Sequence, residues 1–502
     1  MRILTIVIAL AAAVAGCTTR NAEGVCCVSE ADCARLGVDE PRPCGAGQAC
    51  KSFGCVAAEC ATSADCTSPS APVCVDRLCV AACREDADCT GAAGPFCASD
   101  GACVGCLADT QCPASAPFCD AEDRTCRGCE QDAECASGVC IEADGACADP
   151  GQLVHVRMGG TDTGECTSAA PCRTLSYALQ KVTVARDVIR VTNTVLSTPA
   201  ATISIDRRVT IDGSDTTLAK PTNVPLFAIG TSAGVVVLEG FALAGSPDPS
   251  DPTITVASGS ALRIARSALD SAPIDVVNGS LQLRDSRMSS TLVTLEAVRC
   301  TNGTVSAHKT EFTHTTIGAT NCQLNVSRSR FDEIADGSIV AQGGVALIEN
   351  NLVISANELA DLMSLTNLAP GSTVRFNTFV NTSGVSSDGV ALFCDGAVAV
   401  TSNIFAYGSA HPLGTPGITP CPTRFSLFDS VAVSQHTAGE GNQVGDAATF
   451  FVNRIARDFH LASGSPARQA AESGLPVSED FEGNRRPAPT GSRPDIGCFE
   501  AP

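Results

Sequence analysis

The chain has 502 residues, of which 30 are Cys, 18 are Phe and none is Trp, and its formal net charge is −21. This length predicts more than one domain, and so many Cys predict export to an oxidising compartment. Acidic residues exceed basic ones by 22 to 8 in residues 18–150 and by 32 to 24 in residues 151–502. We therefore expect no nucleic-acid partner, since phosphate contacts need a basic face.

Residues 1–17 combine a charged start, a short apolar run and the tetrad Val-Ala-Gly-Cys ending at Cys17. The run is too short for a transmembrane helix and fits an export signal. With Cys at the cleavage point, the segment resembles a bacterial lipoprotein signal peptide with its lipobox. The resemblance implies lipidation of Cys17 and attachment to a membrane through the acyl chains. Thr18 and Thr19 favour the outer membrane or cell surface; periplasmic and external orientations both stay open.

Residues 18–150 repeat a pattern of Cys pairs. Cys60, Cys83, Cys106 and Cys129 lie 23 residues apart, and each is followed six residues later by another Cys. Units this small cannot bury a sufficient core, so we expect disulfides to hold them, although the sequence does not give their connectivity. The repeat resembles the small Cys-rich, EGF- or Dickkopf-like modules of secreted proteins, and we interpret it as a stalk.

Metal binding by the stalk is an alternative to this interpretation. Structural zinc sites usually pair two close CxxC knuckles, whereas the spacing here is C-x5-C in an oxidising compartment. Acidic residues in each unit could chelate calcium, which needs several carboxylate and carbonyl oxygens together. Solvated acidic turns are favoured over calcium sites, and we expect no metal and no cofactor.

Beyond residue 150 the sequence repeats a strand pattern every 19 to 26 residues. Small polar anchor residues have apolar residues five and three positions before them and two positions after them. Such alternation is the period of a strand with one buried face, and the repeat length is that of one coil of a β-solenoid. The sequence therefore predicts an all-β, single-stranded, right-handed parallel β-helix in residues 151–502. The anchors are Ser267, Ser286, Thr310, Ser329, Asn351, Asn377 and Asn403.

Counted from each anchor, apolar residues lie at positions −5 and −3 and next at +2, which breaks the alternation of a continuous strand. The chain must therefore turn between −3 and +2. Small polar residues suit such a corner, and Asn tolerates its left-handed conformation. A second corner, mostly Gly, recurs about seven residues earlier, which predicts two corners per coil. A β-sandwich is the alternative, but it would show a hairpin signal between every pair of strands.

Both ends of residues 151–502 carry motifs outside the repeat. The Gly-Thr-Asp and Pro-Cys-Arg-Thr-Leu-Ser-Tyr-Ala-Leu segments look like the start of secreted pectin-lyase-like β-helix proteins. The helix predicted at Ser176–Thr183 would cap the open end of the solenoid. The segments beginning at Asp458 and Phe481 are similar to the terminal signature of bacterial choice-of-anchor Q proteins, apart from Cys498 and Arg468-Gln469. The resemblance implies a β-helix with a capping motif at each end, and no assigned chemistry.

Six Cys outside the stalk form three proposed disulfide pairs. The central pair is favoured because its residues lie in neighbouring coils near the same corner, and the state of Cys498 is left undecided. The proposed pairs are Cys166 with Cys172, Cys300 with Cys322, and Cys394 with Cys421.

Candidate catalytic groups are sparse. A pectin-lyase-like fold raises the prospect of a polysaccharide lyase or glycoside hydrolase, but a fold does not fix a function. Hydrolysis needs two carboxylates about 5–9.5 Å apart. Asp285 and Glu311, on adjacent coils, could approach to about 8 Å, whereas Asp270 and Asp332 would lie about 14 Å apart. Because basic residues share the columns of Asp285 and Glu311, a cross-coil charge ladder is favoured over a catalytic pair.

Other signs of catalysis or sugar stacking are weak. The chain has two Tyr and no Trp, and its six His are scattered, with His460 interpreted as structural. We therefore predict a non-enzymatic, lipid-anchored envelope or surface protein whose β-helix contacts a glycan or another surface protein. Two alternatives stay open: a polysaccharide-degrading enzyme that uses Asp285 and Glu311, and a purely structural envelope protein.

Overall fold

The computed structural model describes residues 44–501 except for internal gaps, those of four residues or more being 67–72, 90–93, 193–198, 384–388, 415–420 and 433–436. The predicted lipidation site, Cys17, lies outside the described residues. The chain divides into two compact units, one with residues up to 134 and 144–146, the other with 135–143 and 147–502. No helix among the described residues combines the length and the apolar character needed to cross a membrane.

Short antiparallel hairpins and 3-10 turns make up the first unit. In its complete repeats the first Cys bonds to the third and the second to the fourth, as in Cys83–Cys97 with Cys89–Cys103. The same pattern joins Cys60 to Cys74, Cys66 to Cys79, Cys106 to Cys119 and Cys112 to Cys126. The strands are Gln48–Lys51, Gly54–Ala57, Val73–Val75, Leu78–Val80, Phe96–Cys97, Cys103–Val104, Phe118–Cys119 and Cys126–Arg127, and the 3-10 turns are Asp86–Asp88, Asp109–Gln111 and Asp132–Glu134.

The second unit is a parallel β-solenoid with three faces, each a stack of strands from successive turns. The first face contains Leu153–Arg157, Val188–Thr192, Ala261–Ala265, Ser280–Arg284, Thr304–His308, Thr373–Arg375, Ala399–Thr401 and Thr423–Arg424. The second face contains Ala268–Asp270, Arg287–Ser289, Glu311–Thr313, Arg330–Asp332, Leu352–Ser355, Thr378–Asn381, Ile404–Ala406, Leu427–Asp429 and Gln443–Gly445. The third face contains Ile203–Ile205, Phe227–Ile229, Ile254–Val256, Ile274–Val277, Leu295–Thr301, Met363–Thr366 and Phe393–Cys394.

Four longer strands bend around a corner and serve two faces. Val209–Ala219 and Val235–Ala244 pass from the first face to the second, and Thr315–Ser327 and Ile339–Glu349 pass from the third to the first. The remaining elements are the helix Leu175–Leu179, the 3-10 turns Pro150–Gln152 and Ala447–Thr449, and the strands Cys140–Ile141, Ala146–Cys147, Phe451–Asn453 and Asp458–Leu461. The predicted all-β solenoid, preceded by a disulfide-rich region, is confirmed. The expectation of two corners per coil is wrong. A third strand precedes the Gly corner in each coil, so three strands and three corners make one coil.

The left-handed conformation of the corner at each anchor is adopted by the residue before the anchor: φ is 47° at Arg266, 45° at Asp285, 49° at Lys309 and 51° at Arg328. The anchor side chains are instead buried and bind the backbone of the neighbouring turn, which satisfies donors that the corner leaves unpaired. The backbone N–H groups of Ser329, Asn351 and Asn377 each donate over 2.9 Å to the side-chain Oδ1 of Asn351, Asn377 and Asn403, respectively.

Apolar side chains fill the solenoid at the predicted inward positions. Leu281, Val305 and Leu324 lie in register on successive turns and are fully buried. At the position two residues after the anchor, the rings of Phe312 and Phe331 stack with their centroids 4.7 Å apart. Stacked aromatic pairs stabilise a core beyond the area that they bury.

The first turn closes the amino-terminal side of the solenoid, and disulfides link residues within it and in later turns. Helix Leu175–Leu179 buries Leu175, Ala178 and Leu179 in the main core, and the Thr174 hydroxyl accepts a hydrogen bond from the Tyr177 N–H over 3.2 Å. Disulfide bonds join Cys166 to Cys172, Cys300 to Cys322 and Cys394 to Cys421.

The carboxyl-terminal segment, residues 446–501, lies along the outer side of the second face. There it forms a second apolar cluster, in which Phe450, Phe459 and Phe499 pack with Leu352 and Ile404 of the solenoid strands. The later turns thus carry apolar residues on both sides of their strands. The segment that resembles a terminal signature therefore covers the side of the solenoid. One edge of this segment contacts the middle turns.

Candidate functional site

The two candidate catalytic carboxylates lie near basic side chains. Asp285 occupies a left-handed corner and pairs with Arg284 over 3.2 Å between Nε and Oδ2. Glu311 is half-buried on the second face, in register between Arg287 and Arg330. A catalytic carboxyl group is kept protonated by apolar or negatively charged surroundings. The guanidinium groups beside these two carboxylates are positively charged instead. Asp285 lies two residues before Arg287, the in-register neighbour of Glu311 on the preceding turn.

The sequence argument missed a second pair of carboxylates. Asp212 and Glu239 lie in register on adjacent turns, and both residues are at most 1% exposed. Arg266 Nη2 lies 3.2 Å from Glu239 Oε2, and the Ser214 hydroxyl and N–H both bond Asp212. This buried pair is closed to a polymer and serves the structure.

The middle turns of the solenoid carry an open groove of about 400 Å³, which we call the cationic groove. This volume is within the usual range of small-ligand sites, about 300–1,000 Å³. Its residues come from the corner between the first and second faces and from the terminal segment. They are Lys309, Thr310, Glu311, Arg328, Arg330, Phe481 and Glu482.

Lys309 is the cation of the groove that is most available to a ligand. It is exposed at a left-handed corner, and its ammonium group makes no ion pair with any described residue. Arg328 is held in place, with Nη1 2.5 Å from Glu479 Oε2 and Nε donating to the Phe481 carbonyl over 3.2 Å. Exposed Arg287 lies one turn away beside Glu311 and likewise has no ion pair among the described residues.

Arg330 is oriented by a carboxylate on its own strand. Its Nε and Nη2 donate to Asp332 Oδ2 over 3.0 and 2.7 Å, and Arg457 of the terminal segment also bonds Asp332. In the groove, the ion pairs of Arg328 and Arg330 therefore run to the terminal segment and within one strand. The charges of Arg287, Glu311 and Arg330 alternate in register on successive turns. Ion pairs between adjacent turns form elsewhere in the solenoid, between Arg299 and Asp275 and between Arg375 and Glu349.

Residues far along the chain complete the groove. The Phe481 ring packs 5.3 Å from Phe499, so it is a fixed wall. Gly483 adopts a φ of +98°, a backbone conformation that other residues rarely adopt, and a Cβ there would lie 2.5 Å from Arg328 Nη2. Glu482 Oε1 lies 3.1 Å from His460 Nε2. Sequence reasoning missed Phe481 and Glu482 because nothing local links them to the corner.

A larger cavity of about 470 Å³ lies beside helix Leu175–Leu179. Asp162 supplies its carboxylate, which accepts from the N–H groups of Arg173 and Thr174 and from the Thr174 hydroxyl. These bonds fix the start of the helix and occupy both carboxylate oxygens, so the cavity has less to offer a charged ligand than the cationic groove.

The Cys-rich repeats use their polar groups internally. Their clustered Cys, such as Cys83, Cys89 and Cys97, are in disulfides and offer no thiolate to zinc. Asp65 accepts hydrogen bonds from two backbone N–H groups of its own turn, and Gln111 does the same at the equivalent position two repeats later. A neutral Gln at this position indicates that the carboxylates close turns rather than hold calcium.

No protein-family model matches the chain, and no curated protein matches it. Among the solved structures that are similar to the chain, two cover 70% of it. One is a crystal structure of pectate lyase Pel9A, covered over 96% of its length at 13% identity with a TM-score of 0.31. The other is a complex of XylC with xylose, covered over 98% at 9% identity with a TM-score of 0.37. At this level of similarity neither structure informs the activity of this chain.

Proposed function

We propose that the chain is an exported, lipid-anchored surface protein that binds an acidic glycan in the cationic groove without cleaving it. The observation that carries this proposal is the pairing of an available ammonium group, Lys309, with two positioned guanidinium groups, Arg328 and Arg330, in one open groove. Uronate carboxylates are natural partners of such groups, since charge-assisted hydrogen bonds are the stronger ones.

The groove also has a surface for the apolar side of a sugar ring. Phe481 lines it and is held by Phe499. Acidic residues are present too, at Glu311 and Glu482, but Glu311 lies in register between Arg287 and Arg330, surroundings unlike the apolar or like-charged ones that keep a general acid protonated. These features support binding over hydrolysis.

Replacing Lys309 with Ala is expected to weaken binding of polygalacturonate about tenfold or more, because a hydrogen bond to a charged group contributes about 1.5–3 kcal/mol. Titration calorimetry on the full chain in mild detergent measures this change. Arg208→Ala is the matched control, since Arg208 is an exposed cation, 72% exposed in its side chain, outside the groove. Equal affinities for the two variants would place the glycan elsewhere.

A polysaccharide lyase is the second candidate, and one observation favours it. A lyase that acts on uronates needs a base near the carbon that loses its proton, and Lys309 is unpaired among the described residues beside two guanidinium groups. Formation of unsaturated uronate ends during the same titration, followed by ultraviolet absorbance and lost in Lys309→Ala, would favour the lyase over the binding protein.

We further propose that lipidated Cys17 anchors the chain to the outer membrane or cell surface. The supporting observations are the lipobox and the many disulfides, which fit an exported protein. Cys17→Ala is expected to move the protein from the membrane to the soluble fraction, because no acyl chain can then be attached. Fractionation followed by immunoblotting checks this. Unchanged membrane retention would contradict the anchor.

A further inference from the structure

His460 is linked to both of its neighbouring carboxylates by its ring nitrogens. Nδ1 lies 2.6 Å from Asp458 Oδ1 on the same strand, and Nε2 lies 3.1 Å from Glu482 Oε1 on the following loop. The ring also packs 4.6 Å from the Phe499 ring. These contacts fix the imidazole with one edge toward the cationic groove, of which Glu482 is a wall.

The backbone that carries Glu482 is fixed independently of His460. Asp480 Oδ1 accepts hydrogen bonds from the N–H groups of Glu482, Gly483 and Asn484 over 2.8–2.9 Å. Asp480 itself is fully buried. A change in the protonation of His460 therefore acts on the groove through charge, while the groove wall keeps its place.

The two carboxylates favour the protonated imidazole. Burial alone would lower the pKa of His460, but the hydrogen bonds to Asp458 and Glu482 outweigh it, and the pKa is raised above the usual 6.5. The same contact with His460 lowers the pKa of Asp458. Since the folded-state pKa is raised, the ion pairs are fully present below about pH 6.5 and are lost as the pH rises through the raised value.

We propose that His460 regulates the cationic groove: at mildly acidic pH its charge neutralises Glu482, so an anionic glycan binds more tightly than at mildly alkaline pH. This inference rests on the proposed function and adds a control to the same site. When His460 loses its proton, the uncompensated carboxylate of Glu482 repels the uronates that Lys309 and Arg330 attract.

Other charged groups lie near Glu482, on the terminal segment and on the second face. On the terminal segment Glu479 is paired with Arg328, and on the second face Glu311 lies beside Arg330. Lys309 lines the groove at the corner. Burial, with the nearby cations Arg328 and Lys309, lowers the pKa of His308 on the first face. His460 is the imidazole that contacts the groove wall, through Glu482.

The test is calorimetric titration of the full chain in mild detergent with polygalacturonate at about pH 5.5 and about pH 8.5, the upper pH being set well above 6.5 because the pKa of His460 is raised. The uronates stay ionised at both values. We expect the wild type to bind about five- to tenfold more tightly at the lower pH, the effect of one unit charge several ångströms away in a partly aqueous site. His460→Gln should bind at the weaker level at both values.

Two further variants make the result specific. Glu482→Gln should bind at the tighter level at both pH values, because the repelling charge is absent. His314→Gln is the matched control: His314 Nε2 lies 3.2 Å from Glu333 Oε2, outside the groove residues, and this variant should keep the wild-type ratio. A full pH ratio in His460→Gln or Glu482→Gln would overturn the inference and leave glycan binding standing. Absence of wild-type binding at both pH values would overturn the proposed function and, with it, this inference.

Discussion

Replacing Arg486 with Met is expected to lower the free energy of unfolding by about 3–5 kcal/mol, the cost of leaving a buried charge without its partner. Both side chains of the Arg486–Glu500 pair are fully buried, with Nε 3.0 Å from Glu500 Oε2. Arg486 also donates to Asn350 Oδ1 and to the Gly497 carbonyl, each over 2.9 Å, and its guanidinium lies 4.4 Å from the Phe376 ring centre. It therefore fastens the terminal segment to the solenoid.

Chemical denaturation followed by circular dichroism measures the loss of stability in Arg486→Met. Limited proteolysis measures how readily its terminal segment is cleaved. Arg485→Met is the matched control, because Arg485 is exposed and adjacent, and it should change the stability by no more than about 0.5 kcal/mol. The double variant Arg486→Met with Glu500→Gln should recover part of the loss, since the stranded carboxylate is gone. Equal losses in Arg485→Met and Arg486→Met would contradict the buried fastening.

Replacing Phe331 with Asp is expected to prevent the solenoid from folding. Phe331 is fully buried and stacked on Phe312, so the change removes a large core side chain, at about 3–5 kcal/mol, and adds the desolvation of a charge. The sum is comparable to the whole stability of a typical domain, about 5–15 kcal/mol. Circular dichroism and gel filtration of the purified variant should show loss of the β-sheet signal and of the compact state.

The neighbouring variant Arg330→Ala tests the strand register behind the Phe331 prediction. Arg330 points to the outer side of the strand, and Asp332 keeps its second partner, Arg457, when Arg330 is removed. We expect a loss of about 1 kcal/mol or less, as for a partly exposed ion pair. Comparable damage from Phe331→Asp and Arg330→Ala would mean that the assigned inward and outward positions are wrong.

The solenoid could be predicted because its core is periodic in sequence. Leu281, Val305 and Leu324 recur at one offset from the anchors, and the structure places them in register. The left-handed corners could not be found in this way. Arg266, Asp285, Lys309 and Phe376 share a positive φ but no common chemistry, so only the backbone identifies them.

The groove was predictable in part. Glu311, Lys309 and Arg330 belong to columns that the repeat defines, and their charges were visible in the sequence. Phe481 and Glu482 come from the terminal segment, and local periodicity cannot say where such a segment docks. One signal was available: Leu352 and Ile404 are apolar at outward positions, which indicates that some other segment must cover the second face there.

The central claim is that the groove binds an acidic glycan and leaves it intact. The most direct measurement incubates the full chain in mild detergent with polygalacturonate, isolates the protein-bound polymer and determines its length by size-exclusion chromatography. The account predicts that polymer is retained by the protein, that its length is unchanged, and that Lys309→Ala retains far less. Shortened polymer, or retention that does not depend on Lys309, would contradict it.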